Sequence, residues 1–167
     1  MKLTTILLFP VLSLVLAGCA GYQLGSTLPE DVQSVSLSIV NQTDEPSIEV
    51  AVMKAIRAEL LMDGRLEIRS QNEADAVLKV TLNSFDLNAL AFDRDRGSLA
   101  REYRMVLCAS SVLYKAEDGE VILENPEIFG ESDFPYVADL TTAKLGALPT
   151  AAADLARKVV SIITTAW

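Results

Sequence analysis

Gln33-Ser34-Val35-Ser36-Leu37-Ser38-Ile39-Val40, then Asn41-Gln42-Thr43-Asp44-Glu45-Pro46, then Ser47 to Gly64: the reading of these three stretches decides the fold. In the first, Val35, Leu37 and Ile39 alternate with Ser34, Ser36 and Ser38, the period of two that marks a half-buried strand. The second is rich in residues that turn the chain. In the third, Ile48, Val52, Ile56 and Leu60 recur every fourth residue, with Ala55 beside them, and so form one apolar stripe on a helix. Ser47 stands where an N-cap is expected, and Asp63-Gly64 places a glycine where helices close in a left-handed residue. The opening unit is therefore strand, turn, helix.

Downstream, Leu66 to Arg69 reads as a short strand and Ser70 to Ala74 as a turn. From Ala76 alternation resumes, with Leu78, Val80 and Leu82 inward and Lys79, Thr81 and Asn83 outward. Tyr103 to Tyr114 carries Met105, Leu107, Ala109 and Leu113 on one face. Val106, Cys108 and Val112 on the other suggest a strand partly covered on both sides. Asp118-Gly119 is a hairpin signal, and Val121 to Phe129 gives the last strand, where Pro126 points to a bulge or an edge. Residues 131–146 lack periodicity and read as an irregular surface connection. Pro149 then opens a helix whose stripe is Ala152, Leu155, Val159, Ile162 and Ile163. The order β-α-β-β-β-β-α, without repeated βαβ units, predicts an α+β fold: two helices packed on one face of a small mixed, mostly antiparallel sheet.

The N-terminus is of another kind. Lys2 precedes an apolar stretch from Ile6 to Ala17, too short to span a bilayer as a helix, which ends in Leu16-Ala17-Gly18-Cys19. This pattern looks like a lipobox, with cleavage before Cys19 and acylation of its thiol and new amine. Two or three acyl chains anchor stably where one does not. The expected organisation is a cleaved signal peptide at 1–18, a lipid anchor and tether at 19–30, and a single α+β domain at 31–167. Ala20, rather than an aspartate, after the cysteine points to the periplasmic side of the outer membrane. The covalent lipid on Cys19 is the only cofactor expected.

Composition narrows the function. Of 167 residues, 23 are acidic and 14 basic, and losing Lys2 with the signal moves the formal charge from −9 to −10. That balance argues against general nucleic-acid binding. The chain has no histidine, which removes Ser-His-Asp and Cys-His catalysis and the commonest metal ligand. With Cys19 lipidated, Cys108 has no partner within the chain and reads as a small core filler. The carboxylate pairs Asp93/Asp95 and Asp118/Glu120 lie in turns with no base or third ligand nearby, so no catalytic or metal-binding residue is expected and the chain is not read as an enzyme. One charged cluster remains: Arg94, Arg96, Arg101 and Arg104 within eleven positions, at and after the tip of a hairpin. Two readings are open for it. The arginines pair with the interspersed acids on a solvated turn, or they contact a phosphorylated lipid or an acidic partner, since guanidinium forks suit phosphate.

Taken in order, these segments resemble the LptE family of lipopolysaccharide-assembly outer-membrane lipoproteins. The resemblance rests on Cys19-Ala20-Gly21-Tyr22-Gln23-Leu24, on the helix ending Glu59-Leu60-Leu61-Met62-Asp63-Gly64 and on the hairpin from Ala91 to Leu113. It is completed by Ala147-Leu148-Pro149 with Ala153-Asp154-Leu155-Ala156-Arg157-Lys158-Val159-Val160. It implies a protein that plugs the lumen of a large outer-membrane β-barrel, the LptD translocon, and helps it assemble and deliver lipopolysaccharide. It also implies lipopolysaccharide contact through basic residues near the hairpin, with Arg94 and Arg96 closest to that place. The chain departs from the pattern in its acidity and in ending at Trp167 without a polar tail. In a plug, the serine face of Ser34, Ser36 and Ser38 would meet the lumen wall. The alternative reading is a lipid-anchored periplasmic regulator of an envelope enzyme such as a cell-wall synthase.

Overall fold

A computed structural model describes residues 28–29, 31–93, 99–136 and 139–165. Cys19, Arg94 and Arg96 lie outside them. The elements run in the expected order: β1 (Ser34–Asn41), α1 (Ile48–Asp63), β2 (Glu67–Ile68), β3 (Ala76–Asp93), β4 (Leu99–Lys115), β5 (Val121–Pro135) and α2 (Leu140–Thr164). One five-stranded sheet has the order β2-β1-β3-β4-β5. It is mixed, as expected: β1 pairs in parallel with β2 and β3, and the longer β3–β4 and β4–β5 ladders are antiparallel.

The stripes bury as their spacing requires. Val35, Ile48, Val52, Ile56, Leu60, Leu78, Val80, Leu82, Met105, Leu107, Ala109 and Leu113 join one core, closed by Ala151, Leu155, Val159 and Ile163 of α2. Both helices thus lie on the same face of the sheet. Asp75 ties the strand starts together. Its carboxylate accepts from the Gln33 and Ser34 N–H groups at 3.1 and 2.9 Å and from Ser34 Oγ at 2.7 Å.

Four readings need correction. Ser34 and Ser36 are buried rather than outward. Ser34 is enclosed by its bonds to Asp75, and Ser36 lies mid-sheet beside buried Val77. Ser47 precedes α1 but makes no capping bond and is itself left-handed, at φ 64°. The turn is held instead by Asn41, which donates to the Glu45 carbonyl and the Glu49 carboxylate and accepts from Thr43. The last strand does not end at Phe129 but runs to Pro135, because the alternation continues through Ile128, Gly130, Ser132 and Phe134 with two small residues on the apolar side. Finally, Pro149 lies inside α2 and does not start it. The true cap is Asp139, which accepts from the Thr142 N–H at 2.8 Å.

Other expectations hold. Gly64 closes α1 at φ 73° and donates to the Leu60 carbonyl. Pro126 sits where the β4–β5 register slips between Ala109 and Ser111, on an edge strand, so both meanings of a strand proline apply.

Candidate functional site

The β3–β4 hairpin is longer than its two alternating patterns suggest, and a bulge explains why. Register slips between Leu82 and Ser84, so that Asn83 is the extra residue and the inward side passes to Phe85 and Leu87. A single alternation followed from Ala76 therefore breaks at Asn83 while the strand continues to Asp93.

The base of this outer half is still packed. Phe85 and Leu87 lean on the core, and Lys144 of α2 stands 5.7 Å from the Phe85 ring centre while donating to Glu45 Oε1 at 2.6 Å. That contact is both a cation–π and an ionic tie. Beyond it, Asn88, Ala89 and Leu90 are exposed, and Phe92 is 58% exposed. A hairpin that carries a large aromatic away from the helices presents a surface for contact rather than for folding.

Beside it lies an aromatic cluster that the sequence reading missed. Tyr103 stacks on Phe134 with centroids 6.0 Å apart and meets Tyr136 edge-on at 6.2 Å. The Tyr136 N–H donates to the Arg101 carbonyl at 2.8 Å, which fastens the end of β5 to the hairpin. The signal was the inward row Ile128, Gly130, Ser132, Phe134, hidden by its small and polar members. A groove of about 650 Å³ adjoins this end, between Ser132–Pro135 and the first turns of α2.

The two described arginines of the cluster are placed differently. Arg104 lies on the sheet face away from the helices, between Asn88 and Asp133 in register. Its Nε and Nη2 donate to Asp133 at 2.7 and 2.8 Å, and Nη1 lies 3.7 Å from Glu131. The hydrogen bonds from Arg104 hold the Asp133 carboxyl below the usual carboxylate range, and they raise the guanidinium in return. Arg101 is exposed and makes no ion pair among the described residues. The structure therefore separates two arginines that the sequence groups together: Arg104 is committed to two acids, while Arg101 pairs with no acid among the described residues.

Cys108 is half-buried on the outer sheet face between Ser84 and Phe129. Burial pushes its thiol up, with the Glu127 charge adding to the effect, so it stays protonated near neutral pH. Among the described residues, no three His, Cys, Asp or Glu side chains converge as a metal site would require, and no helix is long and apolar enough to cross a membrane.

The lipopolysaccharide-assembly family model LptE matches residues 32–163, from two residues before β1 to the last turn of α2. The chain belongs to the LptE family. No curated protein sequence matches it. Among solved structures, a minor lipoprotein from Acinetobacter baumannii shares the fold. It has 17% identity, covers 81% of this chain and 93% of its own, and has a TM-score of 0.54. Rare lipoprotein B from Shewanella oneidensis has 15% identity, covers 77% of this chain and 89% of its own, and has a TM-score of 0.44. The PelC dodecamer from Paraburkholderia phytofirmans has 17% identity and a TM-score of 0.49, covering 86% of this chain and 94% of its own.

Proposed function

We propose that this LptE-family chain is a lipoprotein, acylated on Cys19 and held on the periplasmic side of the outer membrane. There it occupies the lumen of an LptD-like β-barrel, helping the barrel assemble and deliver lipopolysaccharide to the cell surface. In this role it acts as a binding partner and not as an enzyme. The observation that carries the reading is the family match, which spans every described strand, the first helix and all but the last residue of the second. The geometry supports it: an outer hairpin with exposed Leu90 and Phe92, beside the exposed Arg101, suits contact with a surrounding wall or an amphipathic ligand. Arg94 and Arg96 lie outside the described residues and remain the nearest candidates for lipopolysaccharide contact, joined by Arg101. Arg104 is a candidate only if a phosphate displaces Asp133.

The test is affinity purification of the detergent-solubilised, lipidated chain. Recovery of one large outer-membrane barrel in equal amount is the expected result. Charge reversal of Arg94 and Arg96, with Arg101→Glu as a third variant, then separates barrel binding from lipid binding. Recovery of the chain alone, or with a periplasmic enzyme, rejects the plug and favours a regulatory role.

A further inference from the structure

The two edges of the sheet are treated differently. On β5, the side chains of α2 reach across to the outward backbone groups. Lys158 Nζ donates to the Phe129 carbonyl at 2.7 Å, and Asp154 accepts from the Glu131 N–H at 3.1 Å. Pro135 has no N–H to offer, and the slip at Pro126 breaks the line further down. These are the devices by which proteins blunt an exposed edge.

On the other side, β2 covers only the start of β1, pairing with Ser34 and Val35. The Glu67 and Arg69 N–H groups donate to the Gln33 and Val35 carbonyls, while at the far end the Gln42 N–H donates to Leu82 of β3. The odd-numbered residues of β1 therefore turn their backbone groups away from β3. Past β2, the N–H and C=O of Leu37 and Ile39 have no backbone partner among the described residues. Leu37-Ser38-Ile39-Val40-Asn41 contains no proline, glycine or charge, and no bulge interrupts its pairing with β3. A hollow of about 370 Å³ opens where β2 ends, bordered by Ser36, Leu37, Ser38, Arg57 and Arg69. Arg57 is exposed and without an ion pair among the described residues.

We infer that this edge, Leu37 to Asn41, takes an extended segment of the barrel partner as a sixth strand, in line with β2. The inference rests on the plug reading above. Alternating donors and acceptors along a row about five residues long match the spacing of another extended backbone, so main-chain pairing supplies the affinity. One edge is guarded with a lysine, an aspartate and two prolines, whereas the other carries no such device among the described residues and so stands as a template for pairing. Arg57 beside the edge favours a strand carrying an acidic or hydroxyl side chain at its end.

The experiment uses the full lipidated chain, as wild type and as Ile39→Pro, recovered from solubilised envelopes. The substitution removes one outward donor and leaves the β1–β3 bonds in place. Expected is a folded variant that brings down at least 10-fold less barrel than wild type. Equal recovery overturns the inference and leaves the plug reading standing, whereas failure of the wild type to recover any barrel rejects both. Should Ile39→Pro not fold, hydrogen exchange of the wild type decides. The Leu37 and Ile39 amides are expected to exchange about 100-fold more slowly in the complex than in the free chain. Unchanged exchange overturns the inference. So does slowing in the isolated chain that depends on its concentration, which would make a second copy the occupant.

Discussion

Gly130→Ala is the substitution whose cost the structure states most directly. Gly130 sits on the helix-facing side of β5, opposite Leu107, where α2 crosses the strand. A Cβ there would lie 2.5 Å from the Ala151 carbonyl oxygen, 2.5 Å from Leu155 Cβ and 2.9 Å from the Leu155 nitrogen. Non-bonded heavy atoms of this kind prefer about 3.5–4.0 Å. None of the three neighbours belongs to the free end of a side chain, so no rotamer change relieves the clash and α2 itself must lift by about 1 Å. Overpacking of this sort costs about 1–3 kcal/mol. Lifting α2 also stretches the Lys158 and Asp154 bonds to β5, at roughly 1 kcal/mol each. Loss of glycine's unfolded-state freedom returns about 0.4–1 kcal/mol. The net expectation is about 3 kcal/mol of destabilisation. In a urea titration of the mature chain followed by circular dichroism, a slope of about 2 kcal/mol per M turns this into a midpoint lower by about 1.5 M. A loss below about 0.5 kcal/mol, within the usual range for surface changes, refutes the reasoning. Adding Leu155→Ala should give no rescue, since alanine keeps the Cβ. A rescue would show that leucine's outer carbons, and not the backbone, set the approach.

Leu155→Ala alone empties a fully buried site under β5 and should cost about 3 kcal/mol by the same titration. A cost under 1 kcal/mol would mean that α2 is not packed as described. Pro149→Ala restores a donor inside α2 at an exposed position and is expected to raise the melting temperature, by an amount worth about 1–2 kcal/mol after the unfolded-state term is subtracted. A lower melting temperature would show that the proline shapes a bend the core depends on. Stability should fall with acid in a defined window. For Asp154, burial acts upward but is outweighed by the Lys158 hydrogen bond, the Glu131 N–H and the nearby cations. For Asp63 the Arg65 hydrogen bond leads. Both end below the usual carboxylate value of 3.8. A depressed folded pKa contributes stability above the unfolded value and loses it as pH falls through the folded one, so the unfolding midpoint should be level near neutrality and drop from about pH 4 downward. Asp154→Asn should shallow that drop, and an unchanged acid limb would show that the Asp154–Lys158 pair is not formed in solution.

The legible part of the fold was the part where side-chain period and burial agree. The stripe Ile48, Val52, Ile56, Leu60 and the rows Leu78–Leu82 and Met105–Leu113 each have one covered face, so their spacing and their burial say the same thing. What escaped had the opposite character. Gly130 is inward because α2 passes too close there for a larger residue, Ser132 follows it on the same side, and a row built from small residues carries no hydrophobic period. The first turns of α2 pass through Gly146 and Pro149, two poor helix formers, and are held by the Asp139 cap and by packing of Leu140, Ala143 and Ala147 instead of by propensity. Ser34 and Ser36 misled in the reverse direction, since polar side chains on a strand suggest water and theirs face a covered part of the sheet. At the candidate site, the cluster of arginines was visible in the sequence, but its division was not. The partners of Arg104 come from Glu131 and Asp133, in the segment read as irregular connection.

That division bears on what the hairpin does. The pairs Tyr103–Phe134 and Arg104–Asp133 occupy adjacent registers of one ladder on opposite faces of the sheet, and both join β4 to the last residues of β5. They stiffen the point at which the hairpin leaves the core. The neighbours of that point, Leu90, Phe92 and Arg101, have no such ties to β5 side chains among the described residues and are exposed. A rigid base thus lies under exposed apolar and cationic residues that the core does not use. Removing the Arg104–Asp133 pair and removing Arg101 should therefore have separable consequences. Because the first pair is exposed, its loss acts mainly on hairpin order, read as faster amide exchange along Asn88–Phe92. Loss of Arg101 should leave that exchange unchanged and weaken ligand capture alone. If both substitutions change exchange and capture alike, base and tip form one unit, and the arginines were grouped correctly by their nearness in sequence.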